Sequence, residues 1–190
     1  LAAWREIHDG VGEGWTLYNL GVAYRGLMRF KEALDHHEQA LARGRELGWP
    51  WGQAWALHGL GSTYRDQGRF DKAFDHYEQA LTIRREIHDR WGEGRTLRTI
   101  GNTYRSQGRF DETSDYYHQA LIVYREIHDR WAEGRTLYNL GEILHDIDQP
   151  TAARTFWRQA LTIFEELTDP HAAEARARLA TFGTEEQATA

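Results

Sequence analysis

The chain repeats itself every 40 residues, and that period narrows its possible folds more than any other feature. Trp51, Trp91 and Trp131 stand 40 apart, as do Gly21, Gly61, Gly101 and Gly141, and the Ala-Leu pairs that begin at Ala40, Ala80, Ala120 and Ala160. Residues 51–90 laid on 91–130 share 23 of 40 identities. A duplicated unit of this length is one supersecondary element that cannot bury its apolar face alone, so its neighbours must stack on it.

Each unit reads as two helices. In the third, a first helix is expected from about Trp91 to Gln107, with Leu97, Ile100, Gly101 and Tyr104 on one stripe. Gly108 supplies a stop, because glycine tolerates the left-handed residue that ends a helix. Asp111, after Phe110, is the expected N-cap of a second helix running to about His128. Gly68-Arg69-Phe70-Asp71 repeats that signal. Gly101 and Ala120 are expected where the two helices cross, with Tyr104 and Tyr117 filling the space towards the next unit. The Trp at 51, 91 and 131 is expected to open each first helix and pack over the end of the preceding unit.

Composition removes other classes. A net charge of −6 argues against a general nucleic-acid binder held by a basic surface. With no cysteine there is no disulfide framework, zinc ribbon or thiol chemistry, and a cytoplasmic location is expected. No apolar run approaches the ~20 residues of a membrane span.

The set Leu97, Ile100-Gly101, Tyr104, Gly108, Tyr117 and Ala120 resembles the tetratricopeptide repeat. The second unit matches through Leu57, Leu60-Gly61, Tyr64, Gly68, Ala73, Tyr77 and Ala80, and the first through Leu17, Leu20-Gly21, Tyr24, Ala33 and Ala40. The fourth matches through Leu137, Leu140-Gly141, Ala153, Trp157 and Ala160. The resemblance implies an all-α, right-handed superhelical α-solenoid of helix-turn-helix repeats. Two departures matter: the usual unit has about 34 residues, and the proline that usually ends the second helix is replaced by Arg45, Arg85, Arg125 and Glu165. That pattern is similar to the forty-residue subclass seen in spindle-orientation adaptors and in the repeat arms of actinobacterial signal-transduction ATPases and regulators.

The period divides the chain into a second-helix remnant at 1–10 and repeats at 11–50, 51–90, 91–130 and 131–169. A capping helix at 170–181 and a frayed tail at 182–190 follow. Trp4 to Asp9 aligns with Tyr124 to Asp129, so the chain is expected to begin inside a helix and to be a fragment of a longer regulator.

Catalytic and metal chemistry is not expected. His8, His88 and His128 recur once per unit, roughly a helix-packing distance of ~10 Å apart, whereas ligands must converge on one ion. They read as helix-end cations that favour the dipole. Gly10, Gly12 and Gly14 follow no strand, and Ser62, Ser106 and Ser114 sit in no nucleophile elbow. No enzyme activity, cofactor or metal is predicted.

The resemblance implies that function lies on the concave face, lined by the first helices. Its residues are Trp15, Tyr18, Asn19, Val22 and Arg25; Trp55, His58, Ser62 and Arg65; Arg95, Arg98, Asn102 and Arg105; and Arg135, Tyr138, Asn139, Glu142 and His145. Arginine, aromatics and amides are the composition of binding hot spots. The window 94–107 holds Arg95, Arg98 and Arg105 and no acid, while the second helices open with acids such as Asp71 and Asp111. An acidic protein or peptide partner is therefore expected in an Arg/aromatic groove. The alternative is that Arg25, Arg65 and Arg105 pair with acids of a neighbouring helix. The family's carboxylate clamp is only half matched, by Arg98, Asn102 and Asn139, since Ala175 and Leu179 stand where it needs cations. Two further readings are an effector-sensing or autoinhibitory arm of a larger ATPase or regulator, and self-association through an open apolar edge at 1–9. No direct nucleic-acid or membrane partner is expected.

Overall fold

The computed structural model describes the backbone of residues 2–188 and the side chains of residues 9–181. The elements are α1 (Ala2–Gly26), α2 (Phe30–Glu46), α3 (Pro50–Asp66), α4 (Phe70–Glu86), α5 (Arg90–Arg105), α6 (Phe110–Glu126), α7 (Arg130–Asp146), α8 (Pro150–Glu166) and α9 (His171–Ala188). They form an all-α repeat solenoid whose chain divides into two compact units, Leu1–Thr96 and Leu97–Ala190. In unit one α1 packs on α2 and α3, α2 on α3, and α3 on α4. In unit two α6 packs on α7, α7 on α8, and α8 on α9.

Turns between paired helices rest on a left-handed residue. Gly68 and Gly108 take φ of 73° and 70°, and Met28 and Asp148 occupy the same place at 58° and 59° without glycine's freedom. The expected N-cap at Asp111 is corrected: α6 starts at Phe110, with Arg109 in the cap position and no side-chain cap hydrogen bond. The backbone N–H of Thr113 already donates to the Arg109 carbonyl, so the helical ladder begins there. The Arg109 guanidinium pairs with Glu112 and lies 4.5 Å over the Tyr104 ring. Tyr104 itself stacks on Tyr116 of the paired helix, at 5.4 Å. Arg29 over Tyr24 and Arg69 over Tyr64 repeat the device.

Each hairpin closes where a glycine meets a large ring. A Cβ at Gly101 would come within 2.7 Å of the Tyr117 ring, and one at Gly61 within 2.6 Å of Tyr77. Gly141 meets Trp157 in the same way, and Gly21 meets His37. Around these crossings unit one buries Ala40, Leu41, Ala56, Leu57, Leu60 and Ala80. Unit two buries Leu121, Leu137, Leu140, Ile143, Phe164 and, from α9, Ala172 and Ala175.

Two boundaries differ from the sequence expectation. Residues 2–26 form one continuous helix, with no break near Gly10 between a remnant and the first repeat. At 88 and 128 the chain turns through a left-handed His, and the next helix is braced by Arg90 or Arg130 on Glu93 or Glu133. Gly10 stands at that position in the first repeat, and Glu13 pairs with Arg43 instead, so helix propagation wins. At the other end α9 runs on to Ala188, past Thr181. The apolar edge expected at 1–9 falls, for the side chains of 1–8, outside the described residues, as do residues 189 and 190 of the expected tail.

Candidate functional site

In unit one the first helices bring aromatic rings together. The Trp15 ring lies 5.7 Å from Tyr18 and from Trp49, and 5.6 Å from Trp55. Trp55 lies 5.5 Å from Tyr18 and 6.1 Å from Trp91. The first helices supply Trp15 and Tyr18 one turn apart, and the Trp49-Pro50 start of α3 turns a further indole inward between Gly14 and Gly52. Arg95 lies over this group, its guanidinium carbon 4.1 Å from the Trp55 ring centre. Trp15 and Val22 are each 36% exposed, and Asn19 is exposed beside them.

Two predicted face residues of unit one are interior instead. His58 and Ser62 are buried, and Ser62 receives a hydrogen bond from the Tyr77 hydroxyl at 3.3 Å. Burial first, and then Arg95, Arg84, Arg25 and Arg65, hold the His58 imidazole well below its usual range, so it is neutral. Deep packing against Tyr77 explains the misplacement of His58: the ring centres are 5.4 Å apart.

The arginines at the C-terminal ends of the first helices are consumed by ion pairs. Arg25 and Arg65 both reach Asp66, at 3.5 and 2.8 Å, and Arg105 reaches Asp146 at 3.2 Å. The alternative pairing with an acid of a neighbouring helix is met by Arg25 and Arg105, whereas Arg65 pairs with its own neighbour on α3. The acids lie on the next first helix or beside the arginine itself.

Unit two places its predicted residues along α5 and α7. Asn102 accepts a hydrogen bond from the buried Tyr117 hydroxyl. Burial pushes that phenol up to about 12, partly offset by Arg105, Arg98 and Asn139. Arg98 and Arg135 are half-buried, and the Nε of each meets no acceptor among the described residues. Arg135 lies 5.9 Å from the centre of the Trp131 ring. Tyr138 packs at the edge of the core, and His145 is exposed, 5.8 Å from the Trp157 ring. Glu142 is not an open groove acid: Arg178 of α9 donates to it at 2.6 Å. The cation that sequence reading sought at 175 or 179 thus exists at 178, and is spent on Glu142.

The repeated Trp at the first-helix starts splits in behaviour. Trp51, Trp91 and Trp131 are 49%, 47% and 43% exposed. Trp91 sits against Trp55 of the earlier repeat, whereas the Trp131 Nε1 donates forward to Asp169 at 2.9 Å.

Sequence reading missed Trp49, Arg84 and Arg178. Arg84 was visible as a break in the repeat, since Gly44, Tyr124 and Phe164 hold its place elsewhere. No cluster of three or more metal-ligating side chains occurs among the described residues, and no described helix is long and apolar enough to cross a membrane.

The profile of the tetratricopeptide repeat matches residues 1–46, 51–86 and 92–166. The chain belongs to the tetratricopeptide repeat family. As a tetratricopeptide repeat protein it is a protein–protein interaction module. A comparison with curated protein sequences gives no match. Similar solved structures include aspartyl phosphate phosphatase F from Bacillus subtilis (TM-score 0.85, 15% identity, 94% of this chain and 48% of that one). BtubC (BKLC) from P. vanneervenii is also similar (TM-score 0.76, 20% identity, 95% and 83%). A third is the Rap conjugation gene regulator of the plasmid pLS20 in complex with the Phr* peptide (TM-score 0.73, 18% identity, 90% and 46%). At these identities the likeness is one of fold, and the chain spans about half the length of the phosphatase and of the plasmid regulator.

Proposed function

We propose that this tetratricopeptide repeat protein binds an acidic peptide or helix of a cytoplasmic partner without catalysing a reaction on it. The observation that carries this reading is the aromatic group of Trp15, Tyr18 and Trp55 capped by Arg95, where rings and a guanidinium are offered on one face. Rings supply large contact area at little entropic cost, and arginine supplies planar charge for carboxylates. In unit two, Arg98, Arg135 and Tyr138 offer the same chemistry. The plasmid regulator of similar fold was solved with a peptide, which supports a peptide as the class of partner.

The test is a peptide array probed with the purified chain, each acidic peptide printed beside its Gln/Asn twin. Acidic members should be retained and their twins released. Trp15→Ala with Trp55→Ala, or Arg98→Glu with Arg135→Glu, should weaken retention about tenfold or more while helicity is kept. Equal retention of the amide twins would overturn the acidic preference.

A second reading is that the repeats form the sensing arm of a larger regulator. It is favoured by the likeness in fold to a conjugation gene regulator solved with a peptide. In that case peptide binding should alter the activity of the parent protein, which an assay on the longer protein decides.

A further inference from the structure

One residue of unit one stands apart from its siblings. Where other repeats carry Gly44, Tyr124 and Phe164, the second carries Arg84, which is wholly buried. Its Nη1 pairs with Asp89 at 2.9 Å. Its Nε and Nη2 are also buried and meet no acceptor among the described residues. Those two donors are the parallel edge by which a guanidinium grips a carboxylate with two bonds. A buried charge with two donors unmet is costly, and the hydrocarbon solution of Phe164 avoids that cost.

The backbone is shaped around this side chain. A Cβ at Gly92 would fall 1.5 Å from Arg84 Nη1, whereas Ala132 holds that position beside Tyr124. Beside this unpaired edge the Trp55 ring takes both guanidiniums, Arg84 at 5.0 Å and Arg95 at 4.1 Å. His58, 6% exposed, adds an Nδ1 that has no partner among the described residues. Two guanidiniums therefore meet at the Trp55 ring, and Asp89 answers only one side of Arg84.

We propose that Arg84, with Arg95, Trp55 and His58, forms a subsite for a single carboxylate of a peptide ligand. The carboxylate accepts from Arg84 Nε and Nη2, and Arg95, the half-buried member, turns away from Trp55 to admit it. This rests on the peptide-binding reading above and names which acid group of the partner is held, and where.

The test is titration of the isotope-labelled chain with three probes, read at the assigned Nε–H resonance of Arg84. The probes are acetyl-Phe-Glu-amide, its Gln twin acetyl-Phe-Gln-amide, and acetyl-Phe-Gln with a free C-terminus. The Glu probe, the free acid or both should shift this resonance, and the amide twin should not; which of the two acts tells a side-chain carboxylate from a terminal one. Arg84→Tyr, which restores the residue of the third repeat and is followed at the Trp55 indole N–H resonance, should weaken the responding probe about tenfold. Asp89→Asn, which removes the competing acceptor, should tighten it severalfold. A silent Arg84 resonance up to about 10 mM, while probes bind elsewhere on the chain, would overturn the subsite and leave the peptide-binding reading intact. An equal response to the amide twin would overturn the carboxylate. Absence of all binding would overturn both.

Discussion

Units one and two use the same hairpin, yet they fill its interior differently. Unit two closes its crossings with Tyr117 and Trp157, and backs them with Tyr124 and Phe164. Unit one has His37 at the first of these positions and Arg84 at another, with His58 buried between. Both ring nitrogens of His37 lack a partner among the described residues, and the ring is wedged between Gly21 and Gly59. By contrast the Tyr117 hydroxyl reaches Asn102. The comparison teaches that a repeat fold fixes the volume of each interior position but not its polarity. Where polarity enters without satisfaction, the gain must be sought outside stability.

Overfilling a crossing should be severe in either unit and so serves as the control. Gly101→Leu forces a side chain into the Tyr117 ring and should cost about 3 kcal/mol, as should Gly21→Leu against His37, measured by denaturant unfolding. A large difference between the two would show that one unit can yield.

Acid should separate the units. Burial, then Arg25 and His36, lowers His37 from 6.5 to about 4. Between those values the unfolded chain binds a proton that the folded chain refuses. Stability contributed by neutral His37 is therefore lost as pH falls from 6.5 to about 4 and changes little below. The loss approaches about 3 kcal/mol for His37, and His58 acts in the same direction. Hydrogen exchange at pH 4.5 should show unit one opening ahead of unit two; simultaneous opening would break the comparison.

His37→Phe should stabilise unit one by about 1 kcal/mol and flatten that acid dependence, because it removes two unmet polar atoms where the other repeats hold a larger ring. The smallest effect is expected at Asp148→Gly in unit two. Relief of a left-handed residue, offset by the entropy of glycine, should leave a gain below about 1 kcal/mol in thermal unfolding.

The helices, their pairing and the glycine crossings were legible in the sequence because each recurs at a fixed interval. The interior of unit one was not. A periodic reading averages over copies, and Arg84 and His37 are departures from the average that resemble ordinary helix-surface residues. The pairing of Arg25 with Asp66, 41 residues on, lies beyond any local pattern. The register of His58 matches Tyr18 and so points to the open face, but its ring turns inward against Tyr77. Asp111 reads as a cap because acids commonly serve there, while the backbone starts its ladder at Arg109.

The stack of Tyr64, Arg69 and His76 at the turn between α3 and α4 has a kinetic consequence. All three side chains lie close together along the chain, so the clasp closes a short loop at little entropic cost. The same clasp recurs at Tyr24 and Tyr104. Low contact order of this kind favours rapid folding from several starting points. Each hairpin can then serve as a template for its neighbour, and no single nucleus is indispensable.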